Sequence, residues 1–396
     1  MDKVKILGVK IDNITKQETL NKIKDFLRSD RGYHIVTVNP EFLVKAKKDE
    51  EFYQILNRAD LSIADGFGIV LMSRLIPPRI KNHIRGSDLA TEILKIAETN
   101  KHKVCILNWE QSLSKKEEIA AVLKNKFPNL KFLIQDVRRD FKDIKIDEIN
   151  EFRPQIIFAT LGAPYQEKLI YKNLKKIPSL RLAIGVGGTF DFLTGKIKRA
   201  PKIMRKLELE WLWRLIKEPK LRFGRILTAT VIFPYIFLKE KLIHPFLYRP
   251  NVACLMYKKD SGGIKIFLAE REDEAGHFQI PQGGTDGENI KEAGLRELKE
   301  EIGADNFEIK KAFKNVRKYK FTGRRNGYKY CNYKGQKQGL LIVEFKGSDD
   351  EIKIFPYDYR GWKWVDVDNV LNEIHPCRRE GMKKFLEKME EIKSIL

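Results

Sequence analysis

Glu297, Glu300 and Glu301 fall at i, i+3 and i+4 of the segment "EAGLRELKEEIGA", Glu292 to Ala304, which concentrates acid in a chain of formal net charge +22. On a helix the three carboxylates share one face within a single turn. Leu295, Leu298 and Ile302 then point the other way, into a core. Like charges this close repel, and a solvated face would ordinarily intersperse lysines at these positions. A hard divalent cation such as Mg²⁺, bound through carboxylate oxygens, reverses the sign of that cost. Just upstream, "FQIPQGGTDGE" reads as a strand running into a glycine turn that ends at Glu288, so backbone and carboxylate can both approach a phosphate-bound metal.

The elements that must position such residues follow from pattern. The chain has 396 residues, too many for one ordinary core and enough for two or three domains. Its first two hundred residues alternate amphipathic helices with short apolar strands, as a layered α/β domain does. In "ITKQETLNKIKDFL", Thr15 and Glu18 form a capping box, and Leu20, Ile23 and Leu27 repeat at helical spacing. "HIVTVNP" and "QIIFATLGAP" are strands that end in proline-containing loops, which places Thr37, Asn39 and Gln166 at strand ends. In open α/β sheets, ligand crevices form at those ends. From Ala200 the texture becomes helical and rich in tryptophan and arginine, then apolar over Ile226 to Leu238. "HPFLYRP" reads as a linker into a second α/β pattern.

Lysine and arginine number 76 against 54 aspartates and glutamates, an excess that attracts anionic partners such as nucleotides, nucleic acid or an acidic membrane surface. Cys105, Cys254, Cys331 and Cys377 are scattered without a CxxC pair and the histidines show no ligand spacing, so neither a disulfide frame nor a structural zinc site is expected. A reducing cytosol is the expected setting. The apolar run at 226–238 is well short of the roughly 20 residues a spanning helix needs. It is expected to lie on a membrane and not to cross it.

Gly283-Gly284 through Glu288 to "RELKEEIGA" resembles the Nudix box, with Gly283 to Glu288 one residue shorter than the consensus spacing. The resemblance implies an α/β/α sandwich with a mixed sheet, in which Glu297, Glu300 and Glu301 hold Mg²⁺ or Mn²⁺ and Arg296 orients a neighbouring carboxylate. Glu300 and Glu301 would serve diphosphate hydrolysis through the metal. "PQGG", "YKGQKQGLLIVEF" and "DYRGWKWV" are similar to segments of dinucleoside polyphosphate hydrolases and RNA 5′-pyrophosphohydrolases. That similarity implies Gly283, Gly284, Gln336 and Lys337 as substrate contacts and Asp358 as a further metal carboxylate. The basic span from Lys310 to Gln338, with Tyr319, Phe321, Tyr328, Tyr330 and Tyr333 interleaved, suits a polyphosphate and a stacked base as well as it suits ordinary strands.

The segments Thr37 to Val70, "LGAPYQEKLI" and Gly185 to Pro219 resemble the WecG/TagA/CpsF glycosyltransferases, with similarity from about Val4 to about Leu238. The resemblance implies a Rossmann-like α/β catalytic domain that transfers an N-acetylhexosamine-type sugar, with inversion, from a UDP donor to a lipid-diphosphate-linked sugar. No metal-binding Asp-x-Asp occurs here, and no cofactor is expected at this site. Asp65, a lone carboxylate in the glycine loop "ADGFG", is the candidate base. Without the family it would read as a turn residue. Thr37, Asn39 and Gln166 are the candidate hydrogen-bond donors to sugar or phosphate. Where members usually carry an arginine this chain has His83, with Arg85 two residues on, and "ILNWEQSLS" replaces a glycine-rich loop near the donor nucleotide. Arg214, Arg222 and Arg225 are placed where the family's tail meets the lipid diphosphate.

The expectation is a bifunctional chain: catalytic transferase domain 1–200, an Arg/Trp-rich membrane-associating appendage 201–245, and a Nudix domain 246–396. It would work in the cytoplasm, peripheral on the inner face of the cell membrane, and self-association into a homo-oligomer stays open. The Nudix substrate would be a dinucleoside polyphosphate or a 5′-triphosphate RNA end. Two alternatives stand beside it: hydrolysis of a nucleotide-sugar, or an inactive domain that binds nucleotide or RNA as a sensor.

Overall fold

Strands buried on both faces need predominantly apolar side chains, and five of six short runs in the first half of the chain fit this, with His34, Ser62 and Asn108 among the buried polar exceptions. In the computed structural model, which describes residues 2–198, 200–201, 203–204, 210–217, 219–321, 332–356 and 358–393, the chain divides into two compact units, Met1–Leu238 and Lys239–Leu396.

The N-terminal unit opens with a hairpin, β1 (Lys3–Ile6) and β2 (Val9–Asp12). Its main sheet comprises β3 (Tyr33–Val38), β4 (Leu61–Ala64), β5 (Val104–Trp109), β6 (Phe132–Val137), β7 (Ile156–Ala159) and β8 (Leu182–Gly185). They lie in the order β4-β3-β8-β7-β5-β6, and every pairing is parallel. Alternate residues serve opposite faces. Ile35, Leu61, Ile106, Phe158 and Ile184 enter one core, beneath the helices Lys16–Arg28 and Gly86–Thr99. Val36, Val38 and Ala64 enter a second with the hairpin, and Cys105, Ile157 and Ala183 a third. The helix Lys16–Arg28 starts with the expected capping box, Thr15 N–H donating to Glu18 at 2.7 Å and Glu18 N–H to Thr15 Oγ1 at 3.2 Å.

The apolar run 226–238 is not one uniform membrane-facing surface. It passes from the helix Pro219–Leu227 through a π-helical turn, Thr228–Ile232, into the helix Phe233–Leu238. The wider turn ends two residues before Pro234, whose missing N–H and bulky ring an α-helical register accommodates poorly. Phe233 and Phe237, one turn apart, are fully buried in the core with Val38, Phe42 and Ile69, whereas Val231, Tyr235 and Leu238 are exposed. Among the described residues, no helix is long and apolar enough to cross a membrane.

The C-terminal unit carries a mixed sheet of β9 (Tyr248–Asp260), β10 (Gly263–Arg271), β11 (Phe278–Gln279), β12 (Gln282–Gly284), β13 (Phe307–Lys320), β14 (Gly335–Phe345) and β15 (Tyr359–Asp366). β9 and β14 pair in parallel, and the remaining ladders are antiparallel. Val252, Cys254, Leu341 and Val343 pack on the helix Ile290–Ile302; Ala253, Leu255, Leu340 and Ile342 pack on the C-terminal helix Arg379–Glu390. The result is the α/β/α sandwich with a mixed sheet expected from the sequence.

Replacing Phe237 by Ala removes a fully buried ring, and is expected to cost the N-terminal unit about 3–5 kcal/mol in denaturant unfolding. Tyr235→Ala, at an exposed neighbour, is expected to stay within about 0.5 kcal/mol.

Candidate active sites

Parallel strands deliver their carboxyl ends to one edge of a sheet, and four of the predicted polar residues stand there. Thr37 is the penultimate residue of β3 and is 5% exposed; its hydroxyl lies 3.5 Å from the Gly185 carbonyl at the end of β8. Asn39 caps the helix Pro40–Ala46, its side-chain oxygen accepting from Phe42 N–H at 3.0 Å. Asp65 follows β4, half-buried, and its N–H is tied to the Val38 carbonyl at 2.7 Å. Gln166 lies beyond β7 and is 3% exposed. Its amide oxygen accepts from Gly162 and Gly187 N–H, each at 3.1 Å, and its amide nitrogen donates to Glu167 at 2.7 Å. Gln166 thus braces two loops against each other.

His83 places Nε2 3.7 Å from Asp65 Oδ1. Arg85 occupies the N-cap position of the helix Gly86–Thr99. Gly86 was not legible as a site residue, yet a methyl group added there would come 3.2 Å from Asp65 Oδ2 and 3.3 Å from Thr37 Cγ2. Its lack of a side chain keeps the space beside the carboxylate open. Glu167 is also new: it is fully buried, its Oε2 has no hydrogen-bond partner, and burial pushes its carboxyl up to about 7.

The loop after β5 is held without glycines. Asn108 Nδ2 donates to Asp136 at 2.8 Å and to the Ser114 carbonyl at 3.3 Å, and Ser114 Oγ donates to Asp191 at 2.7 Å. At the same edge the Arg139 guanidinium lies against two rings, 3.9 Å from the centre of Trp109 and 4.7 Å from that of Tyr165. Further along the chain, Arg225 donates to Glu41 at 2.7 Å. Burial raises the Glu41 carboxyl, but Arg225 and Lys45 outweigh it and hold it below its ordinary value. The side chains of Arg214 and Arg222 lie outside the described residues.

In the C-terminal unit the acidic segment forms the helix Ile290–Ile302, capped by Asn289 at its start and by Gly303, with φ 70°, at its end. Leu298 and Ile302 are fully buried in the core. The shortened loop turns at Asp286 and Gly287, both at positive φ, and brings Glu288 back to the helix. Arg296 gathers the acid there. Its Nε donates to Glu288 at 2.9 Å, Nη1 to Glu297 at 2.8 Å and to Glu300 at 3.2 Å, and Nη2 to the Gly284 carbonyl at 2.8 Å. The bare Cα of Gly283 makes room for this arrangement: a Cβ there would overlap the Glu297 carboxylate at 1.8 Å and displace it. Glu297 is buried and Glu300 is exposed.

Glu301 accepts from Gln282 N–H at 3.2 Å and from the Tyr359 hydroxyl at 2.9 Å. The segment after the helix satisfies the helix's last carbonyls, Phe355 N–H on Glu301 at 2.7 Å and Lys353 N–H on Ile302 at 2.8 Å. That path sets Asp358 against Glu301. Burial first, then Glu297 and Asp358, push the Glu301 carboxyl well above its ordinary value; burial and Glu300 raise Glu297 even against Arg296. Oxygen donors crowded until they resist ionising fit a hard divalent cation.

Gln336 and Lys337 lie on β14 in register with Arg249 and Pro250 of β9, and the pleat sends them to opposite faces. Gln336 accepts from the Tyr319 hydroxyl. Arg249 escaped sequence reading because it reaches the glycine turn from across the sheet, its Nη2 2.6 Å from where a Gly284 Cβ would stand. Tyr328 and Tyr330 lie outside the described residues.

Residues 4–245 match the glycosyl transferase WecG/TagA/CpsF family, and residues 247–389 match the NUDIX domain. An N-acetylglucosaminyldiphosphoundecaprenol N-acetyl-beta-D-mannosaminyltransferase of Staphylococcus aureus (strain MRSA252) is 35% identical over 242 residues, which span 60% of this chain and 93% of that protein. Among solved structures, an Ap4A hydrolase of C. elegans is similar at 17% identity and TM-score 0.28, over 36% of this chain and 98% of that one. The dihydroneopterin triphosphate pyrophosphohydrolase of E. coli is similar at 16% identity and TM-score 0.28, over 36% of this chain and 99% of that one. The chain therefore belongs to the WecG/TagA/CpsF glycosyltransferase family and continues into a C-terminal NUDIX domain, so that one polypeptide holds a transferase and a Nudix hydrolase.

Proposed function

We propose that the N-terminal unit transfers an N-acetylhexosamine-type sugar from a UDP donor to a lipid-diphosphate-linked sugar, with inversion, and that the C-terminal unit hydrolyses a nucleoside polyphosphate with Mg²⁺. The observation that carries the transferase reading is Asp65 beside Thr37 at the sheet edge, in space that Gly86 leaves open. The acceptor hydroxyl oxygen attacks the anomeric carbon as the bond to the UDP oxygen breaks. Its proton passes to Asp65, and UDP leaves with the bonding pair. His83, 3.7 Å from Asp65, orients that carboxylate. The S. aureus relative is named for an undecaprenol-diphosphate-linked acceptor, which supports a lipid-linked acceptor here. The stack of Trp109, Arg139 and Tyr165 offers a planar surface for the donor's uracil.

Functional boundaries are assigned at 1–200 for the transferase, 201–245 for the membrane-edge appendage and 246–396 for the hydrolase. Arg214, Arg222 and Arg225 are assigned to the acceptor diphosphate, with Arg225 exchanging Glu41 for phosphate. Exposed Val231, Tyr235 and Leu238 support peripheral contact with the inner membrane face.

In the hydrolase unit, Glu297, Glu300, Glu301 and Asp358 are assigned to the cation, which when bound neutralises the diphosphate and activates water. Arg296 holds Glu297 and Glu300 in place, and Tyr359 and Gln282 fix Glu301. Arg249, at the glycine turn, supplies positive charge for the phosphates, and a dinucleoside polyphosphate or a 5′-triphosphate RNA end is the substrate class assigned to this unit.

Asp65→Asn is expected to lower sugar transfer to a lipid-diphosphate acceptor by roughly 10²–10⁴-fold with donor binding retained; unchanged transfer would remove Asp65 from the base role. For the hydrolase, Mg²⁺-dependent product release from diadenosine tetraphosphate or triphosphorylated RNA is expected, and it should vanish in Glu300→Gln, Glu301→Gln. Cleavage of UDP-sugars alone would move the substrate to the nucleotide-sugars, and binding without cleavage would leave a sensor.

The raised Glu297 and Glu301 carboxyls also set a pH dependence. The folded protein holds these protons more tightly than the unfolded chain, so their contribution to stability is complete below the ordinary carboxylate range, near about 4.3, and is lost as pH rises through the raised values. In thermal unfolding, the metal-free C-terminal unit is expected to lose stability as pH rises above the ordinary carboxylate range. Mg²⁺ or the Glu301→Gln substitution should shrink that loss.

A further inference from the structure

His277 is far in the sequence from His375 and Cys377, yet one ligand atom from each of the three lies within 4.8 Å of the others. Long-range pairing assembles them. β11 runs antiparallel to β10, and His375 N–H donates to the Phe278 carbonyl at 3.0 Å. These bonds set the turn at 272–277 beside the 3-10 turn Pro376–Arg378, which opens the C-terminal helix Arg379–Glu390. The two imidazoles stack with centroids 3.9 Å apart and planes inclined by 4°. His375 Nδ1 lies 3.1 Å from Cys377 Sγ.

Proton placement decides what this cluster can do. The Glu274 carboxylate lies 2.8 Å from His277 Nδ1, so that nitrogen carries the hydrogen and Nε2 keeps a bare lone pair. Nε2 is buried without a hydrogen-bond partner, in a residue only 5% exposed. A buried acceptor with no donor is costly to maintain. A carboxylate on one ring nitrogen with the opposite lone pair open is the arrangement metal-ligating histidines adopt.

We propose that His277 through Nε2, His375, and Cys377 through Sγ form a site for a borderline divalent transition-metal ion of the zinc class, with Glu274 fixing the His277 tautomer. Two imidazoles and a thiolate select such an ion, whereas the carboxylates of the Nudix helix select a hard one, so the two sites take different metals. His277 is buried and fixed; His375 is half-buried and Cys377 exposed, so these two turn toward the ion and open the parallel stack. The thiol proton is released on binding. Glu274 and the thiolate offset the positive charge of the neighbouring Arg271 and Arg378, of which Arg271 is already paired with Asp273 at 2.6 Å. A solvent molecule completes the tetrahedron.

The test titrates the metal-free full-length chain with Co²⁺ alone. A near-ultraviolet thiolate-to-cobalt charge-transfer band with tetrahedral visible bands is expected, displaced by Zn²⁺ and retained in the Glu297→Gln, Glu300→Gln, Glu301→Gln variant. Cys377→Ser, at an exposed position, should keep the circular dichroism of the parent and lose the charge-transfer band. Glu274→Gln should weaken Co²⁺ binding by about 10–100-fold. Absence of a thiolate band at saturating Co²⁺, or an unchanged band in Cys377→Ser, would overturn the proposal.

Discussion

One guanidinium keeps the acidic helix compatible with its own glycine turn. Without Arg296, Glu288, Glu297 and Glu300 would lose the hydrogen-bonded cation that ties them to one another and to the Gly284 carbonyl. Burial works against the cation, but its bonds to Glu288 and Glu297 and the field of Glu300 hold it above its ordinary pKa. The loop, the helix face and the absence of a side chain at Gly283 follow from that arrangement. Removing the arginine would leave buried Glu297 unpaired, which is far costlier than losing a surface pair.

The transferase unit meets a different constraint. Its sheet is wholly parallel, so each strand needs a crossover and all carboxyl ends share an edge. Polar residues at those ends become neighbours whatever their separation along the chain: Thr37 beside Asp65, and Gln166 beside the loops after β7 and β8. The same edge collects Glu167, a buried carboxyl whose displaced pKa marks an environment unlike that of a surface residue.

Much of this was legible because it is local. The capping box at Thr15, the period of the acidic helix and the strand-end positions are written within a few residues of each other. The two-unit α/β architecture followed from those patterns and from family resemblance. Hidden were the features that depend on pairing across a sheet or between turns. Gly86 gives no sign that it faces Asp65, and Arg249 reaches the glycine turn from β9. His277 comes to His375 and Cys377 through β11, so the absence of ligand spacing in the sequence did not mean the absence of a cluster. The run 226–238 carries no charged stripe to mark an outer face, so that Phe233 and Phe237 enter the core while Tyr235 faces out is settled by packing in the fold.

Glu301 is gripped twice by the same short segment. Phe355 N–H holds its backbone carbonyl and Tyr359 holds its carboxylate, with Lys353 anchoring the next residue of the helix. The segment and the carboxylate therefore form one cooperative unit, and a local opening that breaks one bond frees the others. The amide hydrogens of Lys353 and Phe355 exchange with solvent only in that opened state. Their exchange rates measure how often the glutamate leaves its position, with no substrate and no turnover required.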